Sequence, residues 1–309
     1  MGVLDRFGIQ EEAPFTFTVK GDSNRILVMD GDGACYASAS TCARLDTAKR
    51  HLLTKIYEAM FLTKCSTARV HLTPKGCKKN GRDHLIGVKQ YQANRDNKRK
   101  PALLEALRAE AESLSNDEVE LLAHWDVEAD DAIMQDAYTF GNNCIVWSPD
   151  KDLQIVPSPF YDISTGVVDC IKDRYGWLKK DFTTSGKVKI KGHGTKFFWA
   201  QMLMGDTADN VKGLLTYENK LCGPSKAFEV LQDILDESEA CNTVLNAYRA
   251  IDQNPIPEAE MLWLTRTQGD SALKYMNELK LSRENFEFLK DCKFREYTRK
   301  TDIDSDETY

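Results

Sequence analysis

From Arg25 to Asp30 the chain reads Arg-Ile-Leu-Val-Met-Asp, a compact apolar run closed by a carboxylate. Such a run predicts a buried strand. Asp30-Gly-Asp-Gly33 at its end predicts a loop. Leu45, Ala48, Leu52, Ile56 and Ala59 then recur every three or four residues, the period of an amphipathic helix. Ala68–Thr73 predicts a second strand. Apolar residues are sparse from 75 to 100, which predicts a mobile segment that orders on a ligand. Pro101 opens a helix carrying Leu103, Leu107, Ala111 and Leu114 on one face. Glu128 to Phe140 is another, with Ala129, Ile133, Ala137 and Phe140 inward. Asn143–Trp147 predicts a third strand, and 154–157 and 160–163 predict edge strands. Beyond Gly192 helical stretches dominate: 197–204, 225–235, 243–251, 258–266 and 272–279. No internal repeat is visible. Strands alternating with helices imply an α/β fold with a parallel sheet and ligands at the C-terminal strand ends. Two regions are expected, residues 1–191 around the sheet and 192–309 helical.

A 42% hydrophobic content suits a globular core, and no apolar run reaches the roughly 20 residues that span a bilayer. The first residues carry no basic-then-apolar secretion pattern, so a cytoplasmic setting is expected. Nine cysteines without a CxxC pair agree with reduced thiols and argue against a structural zinc site. The histidines are scattered, and His71 and His124 are expected to be structural.

The net charge of −7 would argue against nucleic acid were it evenly spread, and it is not. Residues 64–100 hold eleven Lys or Arg against two Asp, and a second basic stretch runs from Lys172 to Lys196. The acids cluster elsewhere, including a tail at 302–307. Cations for phosphates beside carboxylates for metal is the charge pattern of a metal-dependent nucleic-acid enzyme.

Four acidic groups carry that chemistry. Asp30 and Asp32 follow the first strand, and Asp150 and Asp152 follow the third. Glu128, Asp130 and Asp131 open a helix, and Asp206 and Asp209 follow one. Carboxylates crowded at one rim repel unless a cation neutralises them. Oxygen ligands suit Mg²⁺ or Mn²⁺. Two such ions about 4 Å apart can activate water and stabilise a leaving oxygen.

Val127-Glu-Ala-Asp-Asp131, Ser148-Pro-Asp-Lys-Asp152 and Met204-Gly-Asp-Thr-Ala-Asp-Asn210 resemble, in order and spacing, the acidic motifs of the 5′-nuclease superfamily. That superfamily comprises flap endonucleases, phage 5′→3′ exonucleases and the 5′-nuclease domain of bacterial DNA polymerase I. Asp30 looks like its first aspartate, and Tyr91-Gln-Ala-Asn-Arg95 is similar to its arch motif. The resemblance spans about residues 25–235, and the length is most similar to a stand-alone phage exonuclease. It implies a PIN-like, mostly parallel sheet flanked by helices, with a helical arch or clamp near 75–100 and a helix-three-turn-helix type of region beyond. It implies that Asp30, Glu128 and Asp130 serve one divalent ion and Asp150, Asp152 and Asp206 the other, with Asp131 and Asp209 supporting either. Arg95 would steer phosphate, Tyr91 would stack on a base, and Lys89 or Lys98 would supply further charge. A turn at Val211–Gly223, with Gly213, Gly223 and Lys226, would meet duplex phosphates and hold a monovalent cation. The implied substrates are DNA with 5′ ends, flaps or nicks, or an RNA–DNA hybrid, in phage DNA replication or recombination. The sequence departs from the pattern at Gln92, where the family has Lys, at Thr73, where a further aspartate is expected and Asp32 is the candidate replacement, and in the residues inserted between Gly213 and Gly223.

Two other readings compete. Asp30-Gly-Asp-Gly33 with Gly205-Asp-Thr-Ala-Asp209 also resembles a haloacid-dehalogenase-like phosphohydrolase, which would need a strand before Gly205. A non-catalytic DNA-binding protein on the same fold would accommodate Thr73 and Gln92, but would gain nothing from acids near phosphate.

Overall fold

A computed structural model describes residues 22–95, 99–155, 158–169 and 173–295; Lys98, Lys172 and the acidic run 302–307 lie outside them. The chain begins with β1 (Asp22–Asp30), α1 (Gly31–Thr41), α2 (Leu45–Thr63) and β2 (Cys65–Leu72). It continues through α3 (Leu104–Glu110), β3 (Val119–Ala123), α4 (Ala129–Phe140) and β4 (Cys144–Trp147). After the short β5 (Phe160–Asp162) and β6 (Val167–Asp169), a separate antiparallel hairpin forms from β7 (Trp177–Phe182) and β8 (Val188–His193). Six helices follow: α5 (Thr195–Met204), α6 (Pro224–Leu231), α7 (Glu237–Ala250), α8 (Ile256–Leu262), α9 (Ala272–Glu278) and α10 (Arg283–Phe294).

The main sheet has the order β3-β2-β1-β4-β5-β6, parallel throughout except for β6. β1 lies inside it, with both faces covered, which explains its unbroken apolar run. Leu27 and Met29 join a core with α1, α2 and α3, whereas Val28 faces Ile133, Met134 and Ala137 of α4. That second core runs without a break into α5, α7, α8, α9 and α10. The helical region thus shares its hydrophobic interior with the sheet. The chain steps outward from β1 to β2 and β3, then returns to place β4 on the other side of β1. This reversal opens a crevice beyond the C-terminal ends of β1 and β4, where α/β sheets collect ligands. Among the described residues no helix is long and apolar enough to cross a membrane.

Several local expectations need correction. No loop follows Asp30; α1 starts at Gly31, and the Asp30 carboxylate caps it by accepting from Asp32 N and Gly33 N at 2.9 and 3.2 Å. A Cβ at Gly31 would lie 2.7 Å from His71 O, so glycine lets the helix start against β2. Residues 151–155 form a 3₁₀ turn that buries Leu153 and Ile155, where the sequence predicts an edge strand at 154–157. β3, the β7–β8 hairpin and α10 were not anticipated.

The largest difference concerns the basic segment. Among the described residues from 75 to 95 there is no α-helix, only 3₁₀ turns at Lys79–His84 and Ala93–Arg95. Its described residues make specific contacts with the body. Arg82, 1% exposed, forms a fork onto Asp131 (2.6 and 2.7 Å), contacts Glu128 at 3.2 Å and donates to Trp263 O at 2.6 Å. Val88 N and Gly213 N both donate to Glu258 of α8, each at 2.8 Å.

Asp131 is fully buried and also accepts from Thr265 N and Oγ1 at 2.9 and 3.0 Å, and from Glu128 N at 3.3 Å. Burial alone would raise its pKa, but Arg82 and these donors hold it below the usual carboxylate value. Both oxygens are saturated, so Asp131 ties α4 to the helical region rather than offering a lone pair to metal. Removing one partner strands a buried charge, a loss of about 3–5 kcal/mol. Arg82→Met should lower unfolding stability by that order, and Asp131→Asn should do so to a similar degree. Chemical denaturation reads both; a loss under 1 kcal/mol would show that the pair does not join the two regions.

Candidate metal centre at the sheet switch point

The acids converge on the crevice beyond β1 and β4. Asp30, at the end of β1, accepts from Ser148 Oγ at 3.2 Å, and Ser148 also receives Asp150 N at 3.0 Å. One serine thus fixes the loop after β4 against the end of β1. Asp150 in turn accepts from Asp152 N at 2.9 Å, so the two side chains diverge from one tight turn. Asp130, in the first turn of α4, completes this first group. Its carboxyl is pushed well above the usual range by burial, then by the charges of Asp30, Asp150, Glu128 and Asp32. Asp30 is raised to about 6 by burial and by Asp32 and Asp150.

A second group lies beside it. One oxygen each of Asp152, Asp206 and Asp209 come within 4.8 Å of one another. Asp206 leaves α5 at Gly205 and is held by a two-way bridge to Val211, with N–O distances of 2.9 and 2.8 Å. Glycine is required at 205, where φ is +75° and a Cβ would lie 2.4 Å from Lys212 O. Lys151 Nζ and Gln201 Nε2 each contact both Asp152 Oδ1 and Asp206 Oδ2. Burial raises Asp152 to about 7 against the pull of Lys151, with Asp150 and Asp206 adding repulsion. Burial opposes ionisation of Asp206 as well, but Lys151 and three hydrogen bonds leave it below the normal value. Asp150 lies electrostatically between the groups, raising Asp30 and Asp130 on one side and Asp152 and Asp209 on the other.

Gln92 spans the groups. Its Nε2 donates to Glu128 Oε1 at 3.1 Å and to Asp209 Oδ1 at 2.9 Å, and its Oε1 accepts from Lys79 Nζ at 3.0 Å. The sequence marks Gln92 only as a missing cation; the structure makes it a neutral cross-brace, with its backbone in the left-handed region at φ +53°. Lys79 is the cation behind it, hidden in the sequence among ten other basic residues. Tyr91 is 7% exposed and donates to Glu128 Oε2 at 2.8 Å, so it positions an acid instead of offering a stacking face. Arg95 folds onto Asp209 and donates to Ala208 O, while Asn94 Nδ2 holds Thr207 O at 2.7 Å. Lys89 is exposed. Asp32 pairs with Arg108 at 2.9 Å and accepts from Thr73 N, and Thr73 Oγ1 accepts from Ala129 N. Thr73 therefore fastens the α4 N-terminus to β2 and α1.

The remaining predicted residues are more dispersed. Gly213 (φ +67°) is buried against the backbone of Gly205, and a Cβ there would meet Gly205 N at 2.6 Å. It shapes the Asp206 loop and does not face solvent. Gly223 precedes the open N-terminus of α6, and Lys226 pairs with Glu229 at 3.1 Å over the Tyr217 ring. His71 and His124 share a 2.9 Å contact, and His71 Nε2 lies 3.0 Å from Asp136 of α4, behind the sheet rim. An open cleft of about 440 Å³ beside α1 is lined by Tyr36, Ser40, Arg99 and Lys100. Residues 177–193 of the second basic stretch form the β7–β8 hairpin, where Lys179 and Lys191 stand opposite each other. The described cysteines are all free.

The donor set is all oxygen, crowded and under-neutralised, which fits hard divalent cations. The shifted acids make a stability statement. Folded-state pKa values of Asp152 (about 7) and Asp130 (higher than normal) exceed the unfolded value near 3.8. Their contribution is complete below the unfolded pKa and is lost as pH rises through the folded one. The metal-free protein should therefore melt at lower temperature at pH 7.5 than at pH 6.5. Millimolar Mg²⁺ should flatten the slope, and Asp130→Asn should reduce it. Thermal melts in chelator and in Mg²⁺ test this; identical slopes in the two would contradict it.

No family model matches the sequence, and no curated protein matches it. Solved structures do match the fold. A zinc-bound 5′-exonuclease of T5 aligns over 87% of this chain and 98% of its own, with a TM-score of 0.55 and 14% identity. A flap endonuclease of bacteriophage T5, in a pseudo-enzyme–product complex with DNA and metal ions, aligns over 87% and 97%, with a TM-score of 0.53 and 15% identity. A T5 protein co-crystallised with metal ions aligns equally well, with a TM-score of 0.53 and 14% identity. The chain thus shares the fold of these T5 structures.

Proposed function

We propose that this protein is a divalent-metal-dependent nuclease that hydrolyses DNA phosphodiester bonds as a 5′→3′ exonuclease or flap endonuclease. The observation that carries this reading is the convergence of two carboxylate groups at the sheet switch point, with Asp150 between them. Asp30, Asp130 and Asp150 would hold one ion, with Glu128 close by. Asp152, Asp206 and Asp209 would hold the other. Bound there, a pair of Mg²⁺ or Mn²⁺ ions would lower the pKa of a water and stabilise the leaving oxygen of an in-line displacement. The chain's own residues do the rest. Ser148 fixes the Asp150 turn against Asp30, Gln92 spans the two groups, and Glu128 is kept in place by Arg82, Tyr91 and Gln92. Arg95 and Lys89 supply positive charge at the rim for the phosphate being cut, and the Tyr36 cleft with Arg99 and Lys100 suits a strand leading from it. DNA with 5′ ends, nicks or flaps is the substrate of this reading; one fold neighbour, a T5 flap endonuclease, was solved with DNA and metal ions. An RNA–DNA hybrid belongs to the same chemical class. The α6 N-terminus with Gly223 and Lys226 would follow duplex phosphates.

The phosphohydrolase alternative loses its structural requirement: the ten-residue helix α5, not a strand, precedes Gly205-Asp206. A non-catalytic role is disfavoured by the raised acids, which have no use in phosphate binding alone.

Asp150→Asn and Asp152→Asn should each lower hydrolysis of an end-labelled 5′-flap substrate by roughly 10²-fold or more, the scale of losing one group matched to transition-state charge. DNA affinity should stay within a few-fold. Product lengths on flap, blunt and single-stranded DNA would define the mode of cutting. Full turnover in excess chelator, or unchanged activity in the double variant, would refute the metal-dependent reading.

A further inference from the structure

Lys151 lies between the two acids of the Asp150–Asp152 turn, and its side chain reaches into the second carboxylate group. Its Nζ is 2.9 Å from Asp152 Oδ1 and 2.6 Å from Asp206 Oδ2, over the ring of Phe197 at 5.6 Å from the centroid. Those two carboxylates belong to the cluster whose oxygens lie within 4.8 Å of one another. An ammonium thus stands where two of the three acids would grip a divalent cation. The neighbouring Gln201 donates to the same two oxygens, at 2.7 and 3.0 Å, but Gln201 is 3% exposed and fixed on α5. The Lys151 side chain is 42% exposed on a flexible stem, so it can withdraw to solvent without disturbing the core.

We propose that Lys151 is a tethered counter-ion of the second metal site, docked when the protein is metal-free and displaced when a divalent ion enters. This rests on the metal-centre reading above and adds a specific role for a residue that supplies no ligand. The physical case is competition. Carboxylates this close favour a cation between them, and the chain supplies its own at 2.9 and 2.6 Å. A docked lysine satisfies the acids and keeps the loop after β4 joined to the loop after α5. An incoming ion must first break two charge-assisted hydrogen bonds. Its apparent affinity falls by the fraction of molecules in which the lysine is undocked. Docking in nine molecules of ten weakens binding about tenfold. The first group, around Asp30 and Asp130, has no such lysine among the contacts of the described residues and should bind without this handicap.

The test uses the full-length, chelator-treated protein titrated with MnCl₂ in an isothermal calorimeter without DNA. The wild type should show one tighter and one weaker site. Lys151→Met should tighten the weaker site about tenfold and leave the other within twofold. Lys151→Arg, which keeps a cation in place, should stay near the wild type. Lys89→Met removes a charge without vacating the acids and should change neither site by more than twofold. Thermal melts accompany the titration. Lys151→Met should melt lower than the wild type in chelator and gain more from Mn²⁺. Equal Mn²⁺ affinity in a folded Lys151→Met protein overturns the proposal while leaving the metal centre intact. An equal gain in Lys89→Met overturns it too, since the effect would then be general electrostatics. Absence of Mn²⁺ binding in every form overturns both this proposal and the metal-dependent reading.

Discussion

Mutual repulsion among carboxylates is the constraint around which this molecule is arranged. Five acids from four chain segments, Asp30, Asp130, Asp150, Asp152 and Asp206, meet beyond the C-terminal ends of β1 and β4. Bringing them together costs free energy at neutral pH, as the raised values of Asp30, Asp130 and Asp152 show. The fold offsets that cost with fixed donors: backbone N–H groups at the start of α1, Ser148, Gln201 and the lysine between two of the acids. Local strain of this kind is retained where a ligand relieves it, and hard cations are the ligand that this donor set suits.

The same logic separates the acids that are available from those that are not. Asp131 and Asp130 are adjacent in α4, yet Asp131 uses both oxygens on Arg82, Thr265 and the Glu128 backbone, while Asp130 faces the like charges of Asp30, Asp150, Glu128 and Asp32. One residue joins the sheet to the helical region; its neighbour faces the crevice. The i,i+1 step on a helix turns the side chain by about 100°, enough to move it from the core to the rim. Arg82 links these roles, because it also touches Glu128. The basic segment therefore works partly as a structural strap, with Arg82, Tyr91 and Gln92 turned inward and Lys89 left outside.

That division explains why net charge was a poor guide and local pattern a better one. A run of cations in sequence says nothing about which of them face solvent. Burial of Arg82 depends on a partner 49 residues away and on carbonyls more than 170 residues away. Gln92 likewise reads as a lost charge in one dimension and as a brace between Glu128 and Asp209 in three.

What the sequence determined by itself was local and periodic. The apolar run of β1, the helical spacing of α2 and α4, and the placement of acids after strands and at helix starts follow from short-range stereochemistry, and all are present in the structure. The order of the acidic motifs pointed to the fold that the T5 structures share. Tertiary structure alone decided which acids face each other, because strand order is set by long-range packing and not by neighbours in the chain. It put β4 beside β1, so that the Asp150 turn meets Asp30 through Ser148. It turned the segment before Arg95 into 3₁₀ turns held by Glu128, Asp131 and Glu258. It also placed Lys151 between two carboxylates, one adjacent in sequence and the other 55 residues away. Periodicity reports which face of an element is buried; the identity of what lies against that face is a property of the whole chain.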